Sequence, residues 1–490
     1  MSCHTNAEDF NSPDVIGGRG DWRPMLPLLS VPLDTWIGDF IYGFSSFDLG
    51  INRSYKEGLK GENFFTNIWM VPPCVMDEIN CNFPLRAIGS LGGEHWNFSI
   101  GRDKISWGPG ESGNLMMGDH IPYHNNARFT GFSDKFKYTF SMSSFTHPLN
   151  YLEEDMKTPK FEEGSPYSDN RDRLDYWQSA DKNGISMFIA HRLEWRIIDK
   201  IGMALTESIM YQSENNKFDL MILSPTAVFH NYYIRGNANS LLSFDIDYTP
   251  IKYLNLYGSL IIDEFRLPGE CDPWGPPSAH GWILGAKTGV PLGDGMLYGS
   301  LEAAYTDPYL YLRDRGGMSN DFYGINFVVA TPEFGNGYAG NYTLDFLGYR
   351  YGNDSVVANL NAGYEVYGKW YVDAEYTYLA DGTMDMHSKW WDDVVPGAPE
   401  DGANDGKGSA DPKAPTSSHP KHGSFDPKSN WEERNAVAHW NILSFRGGIT
   451  LFEDLSIWGE MNYVNIINFR NVSGAKADDF QISVGMSYYV

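Results

Sequence analysis

The last ten residues, QISVGMSYYV (481–490), decide the fold. Ile482, Val484, Met486, Tyr488 and Val490 fall on one face, and Ser483, Gly485, Ser487 and Tyr489 on the other. A period of two is the mark of a β-strand with one apolar face and one polar or small face. The same alternation recurs upstream. In KWYVDAEYTY, Trp370, Val372, Ala374, Tyr376 and Tyr378 oppose Tyr371, Asp373, Glu375 and Thr377. In ISMFIAHRLEWRI, Ile185, Met187, Ile189, Leu193, Trp195 and Ile197 share a face with His191, while Glu194 and Arg196 point the other way. Leu242, Phe244, Ile246 and Tyr248 oppose Ser243, Asp245 and Asp247. The spacing predicts similar strands near 94–102, 135–147, 201–211, 253–262, 281–290, 297–305, 356–366, 439–451 and 455–463.

The connections alternate in length. Short ones lie at 197–201, 249–253, 291–295, 366–369 and 452–455, and long ones at 103–126, 148–184, 212–240, 263–280, 306–321, 380–438 and 464–480. Counted from the C-terminus, every short turn falls on one side and every long loop on the other. That is the pattern of a large antiparallel transmembrane β-barrel, with short periplasmic turns and long extracellular loops. The count is about 18 strands, 18–20 in all. An aromatic-closed terminal strand resembles the signal that bacterial outer-membrane barrels present to the barrel-assembly machinery, the partner for insertion. Outer-membrane lipid is the partner of the apolar faces. The polar faces place Asp245, Asp247, Glu302, Asp373, Glu375 and Glu460 in a lumen.

Composition agrees. The 490 residues carry 37 Lys plus Arg against 63 Asp plus Glu, a net charge of −26, which argues against a nucleic-acid partner. Charged residues are 20% and aromatics 15%, unlike a disordered chain. No apolar run reaches the ~18 residues of a membrane helix, which leaves strands as the way to cross. Length alone would suggest three domains at ~150 residues each, but barrels exceed that prior. The division expected is an N-terminal segment at 1–30, incomplete as a periplasmic part, and one barrel over 31–490. Residues 1–20 show neither a basic start nor an apolar stretch, so no secretory signal peptide is read there.

The densest motif is GRDKISWGPGESGNLMMGD (101–119). Gly108, Pro109, Gly110 and Gly113 break the strand, and 101–126 is expected to fold into the lumen as a constriction. Arg102, Asp103 and Lys104 supply a polar cluster at its base, Asn114 belongs to the motif, and Trp107 anchors it or presents a sugar-stacking plane. Ser112 sits in ESGN, not in GxSxG, and is not read as a nucleophile. His120 and His124 are four apart with Pro122 between them, so they read as hydrogen-bonded loop histidines and not as metal ligands; His147 has a structural role. Glu153–Glu154 and Glu162–Glu163 read as solvated acids. No metal site, phosphate loop or cofactor fingerprint is found, and no enzymatic activity is assigned. Aromatic and arginine residues in the long loops are candidate glycan contacts: Tyr309, Tyr311, Arg313 and Arg315; Trp274; Trp390 and Trp391; Tyr232, Tyr233 and Arg235. Aromatic planes stack on sugar rings, and Arg pairs with uronate carboxylates. Residues 391–430, rich in Pro, Gly, Ser and Asp, read as part of an extracellular loop at 380–438. Of four cysteines, Cys74 and Cys81 are placed for a small loop disulfide or for two free thiols.

GRDKISWGPGESGNLMMGD, RFTGFSDKFKYTFSMSSFTHP (128–148), and the LSP and FHN segments of 223–231 resemble the capsule assembly protein Wzi family. With the terminal strand, the resemblance extends over most of the chain, though its specific motifs cover only about 101–148. It implies an outer-membrane barrel of about 18 strands with a lectin-like role toward capsular polysaccharide and no enzymatic activity. Members usually carry a signal peptide and a helical periplasmic region, and neither is evident here. From the residues alone, the alternative is a porin or solute channel whose acidic lumen favours cations.

Overall fold

The computed structural model describes residues 2–4, 29–52, 78–82, 86–121, 123–145, 186–212, 220–224, 228–229, 238–264, 278–312, 326–332, 342–386, 415–418, 434–452 and 454–488. Among them lie β1 (Ser2–His4), β2 (Leu29–Ile37), β3 (Ile41–Asn52), β4 (Glu78–Asn82), β5 (Ala87–Gly93), β6 (Trp96–Asp103), β7 (His124–Phe132), β8 (Phe136–Phe145), β9 (Ser186–Ile198) and β10 (Ile201–Gln212). Then follow β11 (Ala238–Ile251), β12 (Leu254–Glu264), β13 (Ala279–Leu292), β14 (Gly295–Thr306), β15 (Val328–Pro332) and β16 (Tyr342–Phe346). The chain ends with β17 (Ser355–Val366), β18 (Trp370–Asp381), β19 (Ala438–Leu451), β20 (Leu455–Ile467) and β21 (Lys476–Tyr488).

These strands make a transmembrane β-barrel. From β5 to β14 and from β17 to β21 each strand pairs antiparallel with the next in sequence, as β2 does with β3; β14 pairs directly with β17, and β15 and β16 form their own hairpin. β4 and β5 pair with successive halves of β3 (Leu49↔Cys81, Tyr42↔Ser90), as one wall strand in two pieces. The 19-stranded sheet therefore amounts to 18 wall strands. β21 pairs with β20 on one side and with β1 on the other, where Cys3 faces Ile482. The period-two reading of 481–490 holds over the described part of β21: Ile482, Val484 and Met486 are exposed and Gln481 is buried.

The wall is inverted relative to a water-soluble protein. Leu284, Leu301, Leu360, Val372 and Ile100 are each more than half exposed, whereas Ser141, Thr206, Ser208, Asp479 and Gln481 are at 0%. Apolar outside and polar inside fits hydrocarbon around the wall and polar groups in the lumen. At the tight-turn end, Trp36, Phe40, Trp96, Tyr367, Trp370, Phe452 and Tyr488 stand exposed as an aromatic girdle. The lumenal acids named from sequence are largely paired. Arg192 donates to Asp245 at 2.7 Å and Arg196 to Asp247 at 2.9 Å; Arg446 reaches Asp373, Glu375 and Glu460. Burying such charges is tolerated because each finds an opposite partner.

One sector of the outer wall is covered by protein. A 3-10 turn (Leu220–Leu223) and Phe229 lie over β8–β10, burying Met187, Ile189, Ile209 and Tyr211 beneath Ile222 and Phe229. His191, on that outer face, stacks on Phe229 with ring centroids 4.6 Å apart, and its Nδ1 meets the Tyr138 hydroxyl at 2.7 Å. Leu220, Met221 and Val228 remain exposed on the flap.

The strand faces set a testable asymmetry. Leu301 and Leu360 are register partners pointing outward, and Ser300 beside them points inward. Leu301→Arg should cost about 2–4 kcal/mol of folding stability in a bilayer, while Ser300→Arg should cost much less. Urea titration of liposome-refolded protein measures both.

Candidate functional site

Residues 104–121 leave β6 at Asp103, and the chain rejoins the wall in β7 at His124; Asp103 and His124 are each other's register partners. The segment folds inward. Leu115, Met116, Met117 and Ile121 are at most 1% exposed. They pack with inward-facing side chains from most of the wall, including Phe188, Leu241, Ile261, Ile283, Val357, Leu379, Trp440 and Val464. A second layer comes from 308–312, 326–332 and 342–351: Tyr311, Phe327, Phe346, Leu347 and Tyr349 join the same cluster. Together they form a plug in the long-loop half of the lumen.

Backbone chemistry shapes the loop. Trp107 N–H donates to Met117 O at 3.1 Å, and Ser106 Oγ donates to the same carbonyl. Asn114 braces the turn from within: its Oδ1 accepts from Gly110 N–H at 2.9 Å and its Nδ2 donates to Ser106 Oγ at 2.8 Å. Gly108 has φ +142, and a Cβ there would collide with the Asn114 side chain. A Cβ on Gly110 would collide with the Gly113 carbonyl. The tip closes only with glycine at both positions.

Glu302, on β14 and 1% exposed, holds the tip. Its carboxylate accepts from the N–H of Glu111 (2.8 Å) and of Ser112 (2.9 Å), from the Ser112 hydroxyl, and from the Tyr257 hydroxyl (2.7 Å). Ser112 Oγ also meets the Tyr349 hydroxyl at 2.8 Å, so it is committed to fixing the loop. Tyr311 donates to Leu115 O at 2.6 Å and accepts from Tyr349 N–H at 3.1 Å. Arg350 clamps Asp119 with two bonds of 2.8 and 2.9 Å. His120 Nε2 meets Phe346 O at 2.9 Å. Burial alone would raise the Asp119 carboxyl, but the Arg350 guanidinium outweighs it and holds the group below its ordinary value. Burial, and then the charge of Arg350, push the His120 imidazole down to about 3.

The other residues singled out from sequence separate. Arg102 donates to Asn125 and lies over the Tyr123 ring; Asp103 accepts from Arg86 at 2.8 Å; Lys104 is exposed. Lys104 N–H donates to Asp103 Oδ1 at 2.9 Å, but the Arg102 side chain turns to other partners, so the three side chains do not form one cluster at the loop base. Trp107 is half-buried against the plug with the Arg192 guanidinium 5.8 Å from its ring. Pro109 and Gly113 lie in the turn, Gly113 at φ +136. Tyr309 and Tyr311 need correction. Expected as exposed sugar-stacking planes, they are 4% and 0% exposed, because 307–312 turns in and Tyr311 N–H is held by Asp263 at 2.7 Å. Arg313, Arg315, Trp274, Trp390, Trp391, Tyr232, Tyr233, Arg235 and Cys74 lie outside the described residues, and Cys81 is placed only as a backbone position in β4.

Below the tip, toward the tight turns, the lumen keeps a cavity of about 470 Å³ whose lining includes Glu111, Asn255, Lys287, Tyr298, Ser300 and Asn361. Glu111, at the tip of the plug, pairs with Lys287 of β13 at 2.8 Å. No group of three or more metal-ligating side chains occurs among the described residues.

Sequence reasoning placed Glu302 in the lumen without seeing that it grips the 101–119 motif. It also missed Arg350, Tyr349 and Lys287. The signal for the second layer was the run DFLGYRYGND (345–354), too aromatic for a solvated loop.

No protein-family model matches the chain, and no curated protein matches it. Solved structures do. One is Wzi, an outer-membrane protein involved in group 1 capsule assembly in Escherichia coli and described as a carbohydrate-binding β-barrel. It is 12% identical, with 94% of this chain and 78% of that one covered, at a TM-score of 0.49. Another is a BenF-like porin from Pseudomonas fluorescens, 8% identical, covering 94% and 91%, at 0.41. A third is a variant of OccD1 (OprD), 9% identical, covering 92% and 85%, at 0.37.

The Glu302 latch and His120 generate predictions. Glu302→Gln offers one acceptor oxygen where two backbone donors need two. Its cost of about 1.5–3 kcal/mol should speed hydrogen exchange at Glu111 and Ser112 by roughly ten- to a hundredfold. The neutral state of His120 is fully available above the unfolded value near 6.5 and is lost as pH falls toward 3. Protection factors in 115–121, referenced to the intrinsic amide rate at each pH, should therefore fall between pH 6 and 4, and His120→Gln should flatten that fall.

Proposed function

We propose that this chain is an outer-membrane barrel without enzymatic activity that binds and organises capsular or extracellular polysaccharide at the cell surface. The plug is the observation that carries the reading. A lumen occupied by a hydrogen-bonded, apolar-packed segment is built for a closed wall, which leaves the long-loop surface as the working part. The segment that builds the plug is also the segment whose sequence resembles the Wzi family. In this orientation the tight turns face the periplasm and the long loops face outward.

A solute channel selective for cations is the rival. It needs an open path and unneutralised carboxylates, whereas Asp245, Asp247, Asp373, Glu375 and Glu460 lie beside Arg192, Arg196 and Arg446.

The test uses detergent-purified protein with the host's own capsular polysaccharide and an unrelated acidic polysaccharide as control, alongside planar-bilayer recording. Selective retention of the host polysaccharide with conductance at baseline is expected. Steady conductance without glycan retention would replace this reading with the channel.

A further inference from the structure

We propose that the cavity beneath the plug is a second ligand site, open toward the periplasm, that takes a short carboxylate-bearing saccharide. The cavity lies among the residues next to the tight turns 252–253 and 293–294, on the far side of the plug from the long loops. Its volume of about 470 Å³ suits a small ligand.

The lining has the chemistry of sugar recognition. Asn255, Ser300 and Asn361 bring amide and hydroxyl groups of the kind that pair with sugar hydroxyls. Tyr253 and Tyr298 bring rings of the kind on which the C–H faces of a pyranose rest. The backbone at Tyr253 is fixed, with φ +70 and its carbonyl accepting from Thr288 Oγ1 at 2.6 Å, and Lys252 Nζ lies 4.5 Å from its ring centroid.

Charge selects the ligand class. Lys287 is the one cation among the described lining residues. Its partner Glu111 comes from the plug, not from the wall, and both side chains are 42% exposed. A solvated pair of this kind holds only weakly, so an incoming carboxylate can take the place of Glu111 at little cost. The exchange leaves Lys287 paired. It also leaves the tip in position, because Glu302 holds Glu111 through its backbone N–H and not through its side chain. The site can therefore fill and empty without opening the plug.

That the ligand is a saccharide rests on the function proposed above; the cavity and its cation do not. Isothermal titration of the full-length protein in detergent with digalacturonate, with maltose as the neutral control, tests the site. Saturable binding of digalacturonate over maltose is expected. Lys287→Gln should weaken it at least tenfold, and Glu111→Gln, which removes the competing carboxylate, should tighten it several-fold. Absence of saturable binding to both the wild type and Glu111→Gln would overturn the proposal, as would equal affinity in Lys287→Gln. Capsular polysaccharide is assayed in parallel, and Lys287→Gln should retain it. Polysaccharide binding without digalacturonate binding sinks the second site alone. The converse result sinks the surface reading and leaves the site standing.

Discussion

Hydrocarbon offers no hydrogen-bond partner, so every backbone N–H and C=O of this wall must be answered by a neighbouring strand. That constraint produces the rest. It demands an uninterrupted antiparallel ladder, which the chain supplies from β5 to β14 and again from β17 to β21. It fixes the side-chain period at two, so polar residues removed from lipid are driven into the lumen. It then creates a second problem inside, where carboxylates crowd at low dielectric. Arg192 and Arg196 answer it by reaching from β9 over β10 to Asp245 and Asp247 of β11, and Arg446 by pairing with Glu375 of the neighbouring β18.

The plug is a further answer to the same problem. A loop entering a lumen brings bare amides with it, and an unmatched buried amide is costly. Glu302 accepts from two of them with one carboxylate and is itself matched by a tyrosine and a serine. The geometry allows no side chain at Gly108 or Gly110. A charge buried on a strand, a turn stripped of Cβ atoms and an apolar run, LMM, are thus one device.

The wall was legible in the sequence because period-two alternation and loop-length alternation are local signals, and both survive in the structure. The 18-strand scale followed from them, although β2, β3 and the split β4–β5 strand carried too little pattern to be placed. The plug was legible in part: the glycines of 108–113 announce a tight turn. Its partners were not. Glu302 lies 190 residues from Ser112 and Arg350 lies 231 from Asp119, and nothing local marks such pairs. Tyr309 and Tyr311 misled for a related reason. Composition locates aromatic residues on a loop but cannot say whether the loop points outward or turns in. His191 sat on an apolar face that reads as lipid-facing, yet protein covers it.

The flap of residues 220–224 and 228–229 gives the barrel a front and a back. Elsewhere among the described residues the wall presents itself directly, and rotation about the membrane normal would change little for a neighbour. Over β8–β10 the first thing met is a ridge of chain bearing Leu220, Met221 and Val228. The cylinder therefore carries a compass bearing in the plane of the membrane. Lipids cannot pack against that sector as they pack elsewhere, and adjacent barrels in a crowded membrane meet two unlike sides, so their relative headings need not be random.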